Sequence, residues 1–125
     1  MARRAQTADE LHEVFVEGIN SGDLDGLMEL YVPDCVGADL EGNTLTGSGP
    51  LREFLGGFLS VVREFSAEPR KTFVCGDVAL TSLAWHAVVE VDGQRQEMTG
   101  ASAEVSQRQP DGSWKYVIDE PIFMR

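Results

Sequence analysis

A chain of 125 residues has room for one hydrophobic core and not for two. Its hydrophobic share of 42% is ordinary for a globular protein, and its apolar runs break off too early for a membrane span, so no membrane association is expected. The formal charge of −11 repels phosphates and anionic lipid surfaces, and no basic patch with interleaved aromatics offsets it, which argues against a nucleic-acid partner.

The opening MARRAQTADE has two arginines but no apolar segment behind them, so no secretory signal is expected and the cytoplasm is the expected location. Cys35 and Cys75 sit in no CxxC or Cys/His cluster; both are expected to be buried thiols. Thr7 to Glu10 has the form of a capping box. Leu11, Val14, Phe15, Gly18 and Ile19 then recur at helical spacing until Ser21-Gly22. Asp23 is placed to cap a short second helix from Leu24 to Tyr31, with Leu24, Leu27, Met28 and Tyr31 inward and Pro33-Asp34 as its stop.

Cys35 to Asp39 reads as a strand, and Glu41-Gly42-Asn43 as a turn into a second short strand, Thr44 to Thr46. Gly49-Pro50 resembles an N-cap followed by proline at the first helical position of a third helix, whose stripe runs through Leu51, Phe54, Leu55, Phe58, Leu59, Val62 and Phe65. From Lys71 the period becomes two. Thr72 to Cys75, Val78 to Val91, Gln96 to Gln109 and Trp114 to Phe123 read as strands, joined at Gly76-Asp77, Asp92-Gly93 and Asp111-Gly112. Helices first and an antiparallel meander second is an α+β plan, and no linker divides residues 1–125.

This order, with the segments INSGDLDGLMELYVPDCV, GPLREFL and DGSWKYVIDEP, resembles the nuclear transport factor 2-like superfamily, and within it SnoaL-like polyketide cyclases and ketosteroid isomerase. The resemblance implies a cone: a strongly curved antiparallel sheet wrapped around three helices, with an apolar interior used as active site or binding pocket. In the isomerase an aspartate after the second helix moves a proton between carbons while a tyrosine and a protonated carboxylic acid stabilise the enolate. The aspartate maps without a gap onto Asp39, which implies a general base. The tyrosine maps onto Phe15, which lacks a hydroxyl. The second acid falls on Glu104 counting back from Asp111-Gly112, or on Ser102 counting forward from Asp92-Gly93. Both share one strand parity, and the same logic turns Asp119, Trp85, Ala87 and Val89 toward the pocket.

Asp39, Glu104 and Asp119 would then form a convergent carboxylate group, suited to proton abstraction beside a carbonyl or to aldol-type cyclisation. Against it stands the reading of a turn residue, a solvated strand residue and a loop cap. Phe15, Tyr31, Phe54, Phe58, Trp85, Ala87, Val89 and Ser102 are the candidate substrate-binding residues, although aromatics at such spacings equally build core. His12 is one turn before Phe15, and His86 should face the other side of the sheet; with no HxH or HxxxH pair, no metal is expected, and no cofactor motif occurs. The expected function is a cofactor-independent isomerase or cyclase-like enzyme acting on a small hydrophobic, polyketide-like carbonyl compound. Its rival is a non-catalytic ligand-binding or assembly domain. The resemblance also implies a homodimer.

Overall fold

Thr7 starts the first helix as its spacing from Glu10 requires: its hydroxyl accepts the Glu10 backbone N–H at 3.1 Å. In the computed structural model, which describes residues 4–124, helix α1 (Ala8–Ser21) follows and buries Ala8, Leu11, Val14, Gly18 and Ile19. Residues 1–3, part of the stretch in which no signal was expected, lie outside the described residues. Asp23 caps α2 (Leu24–Met28) by accepting the Gly26 N–H at 3.0 Å.

The second helix ends earlier than its apolar spacing predicts. Tyr31 is the first residue of strand β1 (Tyr31–Ala38), paired with Tyr116, and the Tyr116 N–H donates to Leu30 O at 2.7 Å. Pairing with a strand far along the chain overrides the local helical pattern. Pro33 does not stop a helix; it lies where the β1 register breaks between Tyr31 and Val36, a place where its missing N–H costs no ladder bond.

After the short strand β2 (Thr44–Thr46), helix α3 (Ser48–Val61) starts two residues ahead of the prediction, with Gly47 rather than Gly49 at the N-cap. It also stops short of Phe65. Strand β3 (Val62–Cys75) begins at once, nine residues before the expected change of period at Lys71. Pairing with the later strand from Val78 to Val91 holds it from Val62 onward, and a side chain of α1 supports it at Phe65. Asn20 Nδ2 donates to Phe65 O at 2.9 Å and Asn20 Oδ1 accepts the Phe65 N–H at 3.1 Å, so the amide serves Phe65 as a neighbouring strand would.

Strands β4 (Val78–Val91), β5 (Gln94–Arg108) and β6 (Trp114–Met124) complete the meander as expected. Asp92 and Gly93 both have positive φ, 52° and 76°, the conformation a tight two-residue hairpin demands. The six strands among the described residues form one curved, unclosed sheet in the order β2-β1-β6-β5-β4-β3. All neighbours are antiparallel except β1 and β6, which run parallel. The three helices pack on its concave side, and the main core joins Leu11, Val14, Ile19, Leu27, Leu51 and Leu55 to Trp114 and Tyr116. Cys35 is buried in this core, but Cys75, expected to be buried, is exposed. Among the described residues no helix is long and apolar enough to cross a membrane.

Replacing Asn20 by alanine removes both bonds to Phe65. Denaturant unfolding should show a loss of about 1–2 kcal/mol, with Asn20→Asp recovering only the share owed to the Phe65 N–H.

Candidate active site

Along β5, Ser102, Glu104 and Ser106 alternate inward and are all buried, with Glu104 3% exposed. Thr81 of β4 stands opposite Glu104, and Glu104 opposite Asp119 of β6, so one transverse row of the sheet carries all three. On a regular β6, Tyr116 and Asp119 would face opposite sides because they are an odd number of positions apart. The ladder corrects this. Ser106 pairs with Tyr116 while Val105 pairs with Ile118, so one step on β5 spans two on β6 and Val117 is the extra residue of a β-bulge. Tyr116 and Asp119 both face inward as a result.

The polar end of the cavity is bonded as a chain. Tyr31 donates its hydroxyl to Asp119 Oδ2 at 2.6 Å, and Thr81 Oγ1 lies 2.7 Å from Glu104 Oε1. Ser102 Oγ accepts the Leu83 N–H at 3.1 Å. Burial, reinforced by the charge of Asp119, pushes the Glu104 carboxyl up to about 7; hydrogen bonds from Ser102 and Thr81 pull the other way. Burial likewise pushes Asp119 up to about 6, against the bond from Tyr31. Tyr31 and Tyr116 are held well above the ordinary tyrosine range by burial and by the acids beside them, so both stay neutral donors. Burial and mutual repulsion therefore both favour keeping a proton on the pair toward neutral pH, Glu104 being the more strongly raised, and no Lys, Arg or His lines the cavity to neutralise the charge that remains.

The other walls are apolar. Phe15, Phe54, Phe58, Phe65, Leu83 and Trp85 line them, and the cavity volume is about 60 Å³. The Trp85 indole stacks on Phe65 at 6.2 Å and donates Nε1–H to Pro121 O at 2.6 Å. It lies flat across Gly100, its partner on β5, where an added Cβ would stand only 2.8 Å from the indole Cζ2. Glycine is what lets the ring occupy that site.

Of the residues singled out from sequence, Phe15, Tyr31, Phe54, Phe58, Trp85, Ser102, Glu104 and Asp119 line this one cavity. Asp39 does not. Its Oδ1 accepts the N–H groups of Glu41 and Asn43, each at 2.9 Å, and its Oδ2 accepts Asn43 Nδ2 at 3.0 Å, closing the turn between β1 and β2. These bonds hold its carboxyl below the usual range, which weakens it as a base. Its neighbours Ala38 and Leu40 face the cavity in its place, as strand alternation requires.

Ala87 and Val89 also fall outside the lining; with Trp85 they form a second buried cluster behind it. Neither histidine reaches the cavity, and His86 Nε2 stands 3.4 Å from Glu97 across β4 and β5. Among the described residues no three His, Cys, Asp or Glu side chains gather as metal ligands. Tyr116 and Phe65 line the cavity without having been singled out for it. Alternation with Trp114 hinted at Tyr116; the helical spacing of α3 concealed Phe65.

Because Glu104 and Asp119 are weaker acids in the folded state, the stability they contribute is complete below the ordinary carboxyl range and is lost as pH rises through about 6 and then about 7. The unfolding free energy should fall between pH 5 and pH 8 by roughly 2–4 kcal/mol, and Glu104→Gln should remove much of that dependence. Denaturant titrations across this range check it. At lower pH the sign reverses, since Asp39 and Asp111 are held low by turn hydrogen bonds and lose that support on protonation.

A profile of the SnoaL-like domain matches residues 12–115. No curated protein matches the chain in sequence. Among solved structures, a nuclear transport factor 2-like superfamily protein from Salmonella enterica serovar Typhimurium superposes with a TM-score of 0.74 at 22% identity, covering 89% of this chain and 84% of that one. A ketosteroid isomerase-like protein from Erwinia carotovora atroseptica gives 0.74 at 16% identity, with 90% and 89% covered. A protein proposed to be a SnoaL-like polyketide cyclase, from Shewanella denitrificans, gives 0.68 at 15% identity, with 91% and 88% covered. At these identities the structures share the fold, the curved sheet around helices, and nothing finer. The match of the domain profile over most of the chain is decisive for kinship: the protein belongs to the SnoaL-like domain family.

Proposed function

We propose that this protein is a cofactor-independent acid–base enzyme of isomerase or cyclase type, acting on a small hydrophobic carbonyl compound, with Asp119 as base and Glu104 as acid. The observation that carries this reading is the pair itself: two carboxyl groups on facing strands, raised to about 7 and about 6, at the polar end of an aromatic cavity. Such staggered carboxyls are costly to bury and suit a site that must both take and give a proton near neutral pH.

In the proposed step the Asp119 carboxylate removes a proton from the carbon beside the carbonyl. The C–H electrons form the new C=C bond, the carbonyl electrons move to oxygen, and the Glu104 proton meets the developing charge. Return of the proton to another carbon gives an isomer; attack of the enol carbon on a second carbonyl closes a ring. Cavities of about 150 Å³ hold benzene, so at about 60 Å³ a cyclic substrate requires the walls to move apart. This favours a compact carbonyl compound over a polycyclic one.

The outer face of the sheet supports a homodimer as part of the same reading. Val36, Ile118, Val105, Leu80 and Phe73 pair in one unbroken row across five strands, and Val36, Ile118, Leu80 and Phe73 are 39–59% exposed. A row without charge on a chain of net charge −11 matches a second copy of itself better than a charged partner. The rival reading, a ligand-binding or assembly domain without catalysis, draws on this face and on the removal of Asp39 from the cavity. The unpaired thiols of Cys35 and Cys75 are in keeping with the proposed cytoplasmic location.

Two measurements test these readings. Acetone in D₂O should exchange its methyl protons faster with the protein than with Asp119→Asn, by about 100-fold, with a bell-shaped pH profile centred between 6 and 7; equal exchange by both removes the enzyme and leaves the rival. Light scattering should give a dimer mass that Leu80→Glu halves, and a monomeric parent protein overturns the dimer.

A further inference from the structure

The position that the family resemblance assigns to a tyrosine is Phe15 in this chain, so a hydroxyl is missing from the site as the resemblance describes it. The cavity nonetheless receives two hydroxyls from tyrosines on other elements, Tyr31 and Tyr116. Tyr31 is committed to Asp119. Tyr116 is 3% exposed, lines the cavity, and its hydroxyl has no hydrogen bond among the described residues. A hydroxyl that opens on a cavity and has no protein partner is free to donate to a ligand atom held there. The neighbouring Ser106 makes a useful contrast. Its Oγ is fully buried and unpaired, but Ser106 is not part of the cavity lining and has no such access.

The Tyr116 ring is well held. Phe15 meets it edge-on with centroids 6.2 Å apart and planes at 87°, Tyr31 packs at 5.2 Å, and the backbone N–H is tied to Leu30 O. The Val117 bulge turns it to the same face as Asp119, and both Glu104 and Asp119 lie near enough to disfavour its ionisation. It is a neutral donor in a fixed position beside the acid pair, which is what oxyanion stabilisation requires.

We propose that Tyr116 is a further catalytic residue, whose hydroxyl donates a hydrogen bond to the carbonyl oxygen of the bound substrate. It replaces, from β6, the hydroxyl that Phe15 cannot supply from α1. Glu104 and Tyr116 then form a two-donor site for the oxygen while Asp119 attends the carbon. No proton leaves Tyr116 in the step; the bond strengthens as charge gathers on the oxygen. The inference rests on the acid–base reading above.

The test is proton exchange of acetone in D₂O by the parent protein and by Tyr116→Phe, which keeps the ring and its packing. Exchange should drop at least tenfold in Tyr116→Phe, while binding of 2-methylpropene, an isostere of acetone without the oxygen, is unchanged. Parent-like exchange in the variant overturns the role of Tyr116 and leaves the carboxyl pair standing. Equal loss of 2-methylpropene binding makes Tyr116 a wall residue and also overturns it. No exchange by the parent protein overturns both readings. A measurement independent of that variant's folding uses the chain's two tyrosines: 3-fluorotyrosine in a Tyr31→Phe variant labels Tyr116 alone. Its ¹⁹F resonance should shift with acetone and not with 2-methylpropene, and equal responses overturn the proposal.

Discussion

Because Ser106 pairs with Tyr116 while Val105 pairs with Ile118, β6 carries one residue more than its partner at Val117, and the rest of the site depends on that slip. It changes the phase of alternation within a single strand. Before the bulge, Trp114 and Tyr116 face the helices and complete the core; after it, Asp119 faces the same side and meets Tyr31 and the row of Glu104 and Thr81. A regular strand would present either the tyrosine or the aspartate to the interior. The bulge delivers both, at the cost of a broken ladder step.

The second constraint is electrostatic. Glu104 and Asp119 share an aromatic cavity with no cation in its lining, so charge on one opposes charge on the other and burial opposes both. The protein satisfies them with hydroxyls, from Tyr31 and Thr81, which stabilise without neutralising. A cavity built only to bind an apolar molecule would have no use for this arrangement, since an isosteric apolar pair would cost less to bury. Stability conceded at one place is consistent with a site where protons must move, and with the fold being secured elsewhere by contacts such as the Asn20 clasp on Phe65.

The aromatic wall shows how far local pattern reaches. Phe54 and Phe58 could be placed on the cavity side from helical spacing alone, and Trp85 from strand alternation, because each lies within one regular element. Phe65 belongs to a different element from the one its spacing predicts: three-residue spacing from Val62 is compatible with a helix, and only pairing with Ala87 of β4, together with the Asn20 amide of α1, makes it a strand. Asp39 went astray for a related reason. Its place after the second helix matched a catalytic aspartate, but Asn43, four residues on, captures its carboxylate for the turn, and the inward positions pass to Ala38 and Leu40.

The amino-acid sequence by itself determined the α+β order, three of the four long strands, the capped first helix and the candidacy of Glu104 and Asp119, because caps, Asp-Gly turns and the change of period from helical to alternating are written within a few residues of one another. The tertiary structure alone decided that β1 lies parallel to β6, that Val117 bulges, that Tyr116 faces the carboxyl pair and that Asp39 does not. Each of those outcomes depends on pairing between segments far apart in the chain, where a shift of one residue reverses the face every side chain presents.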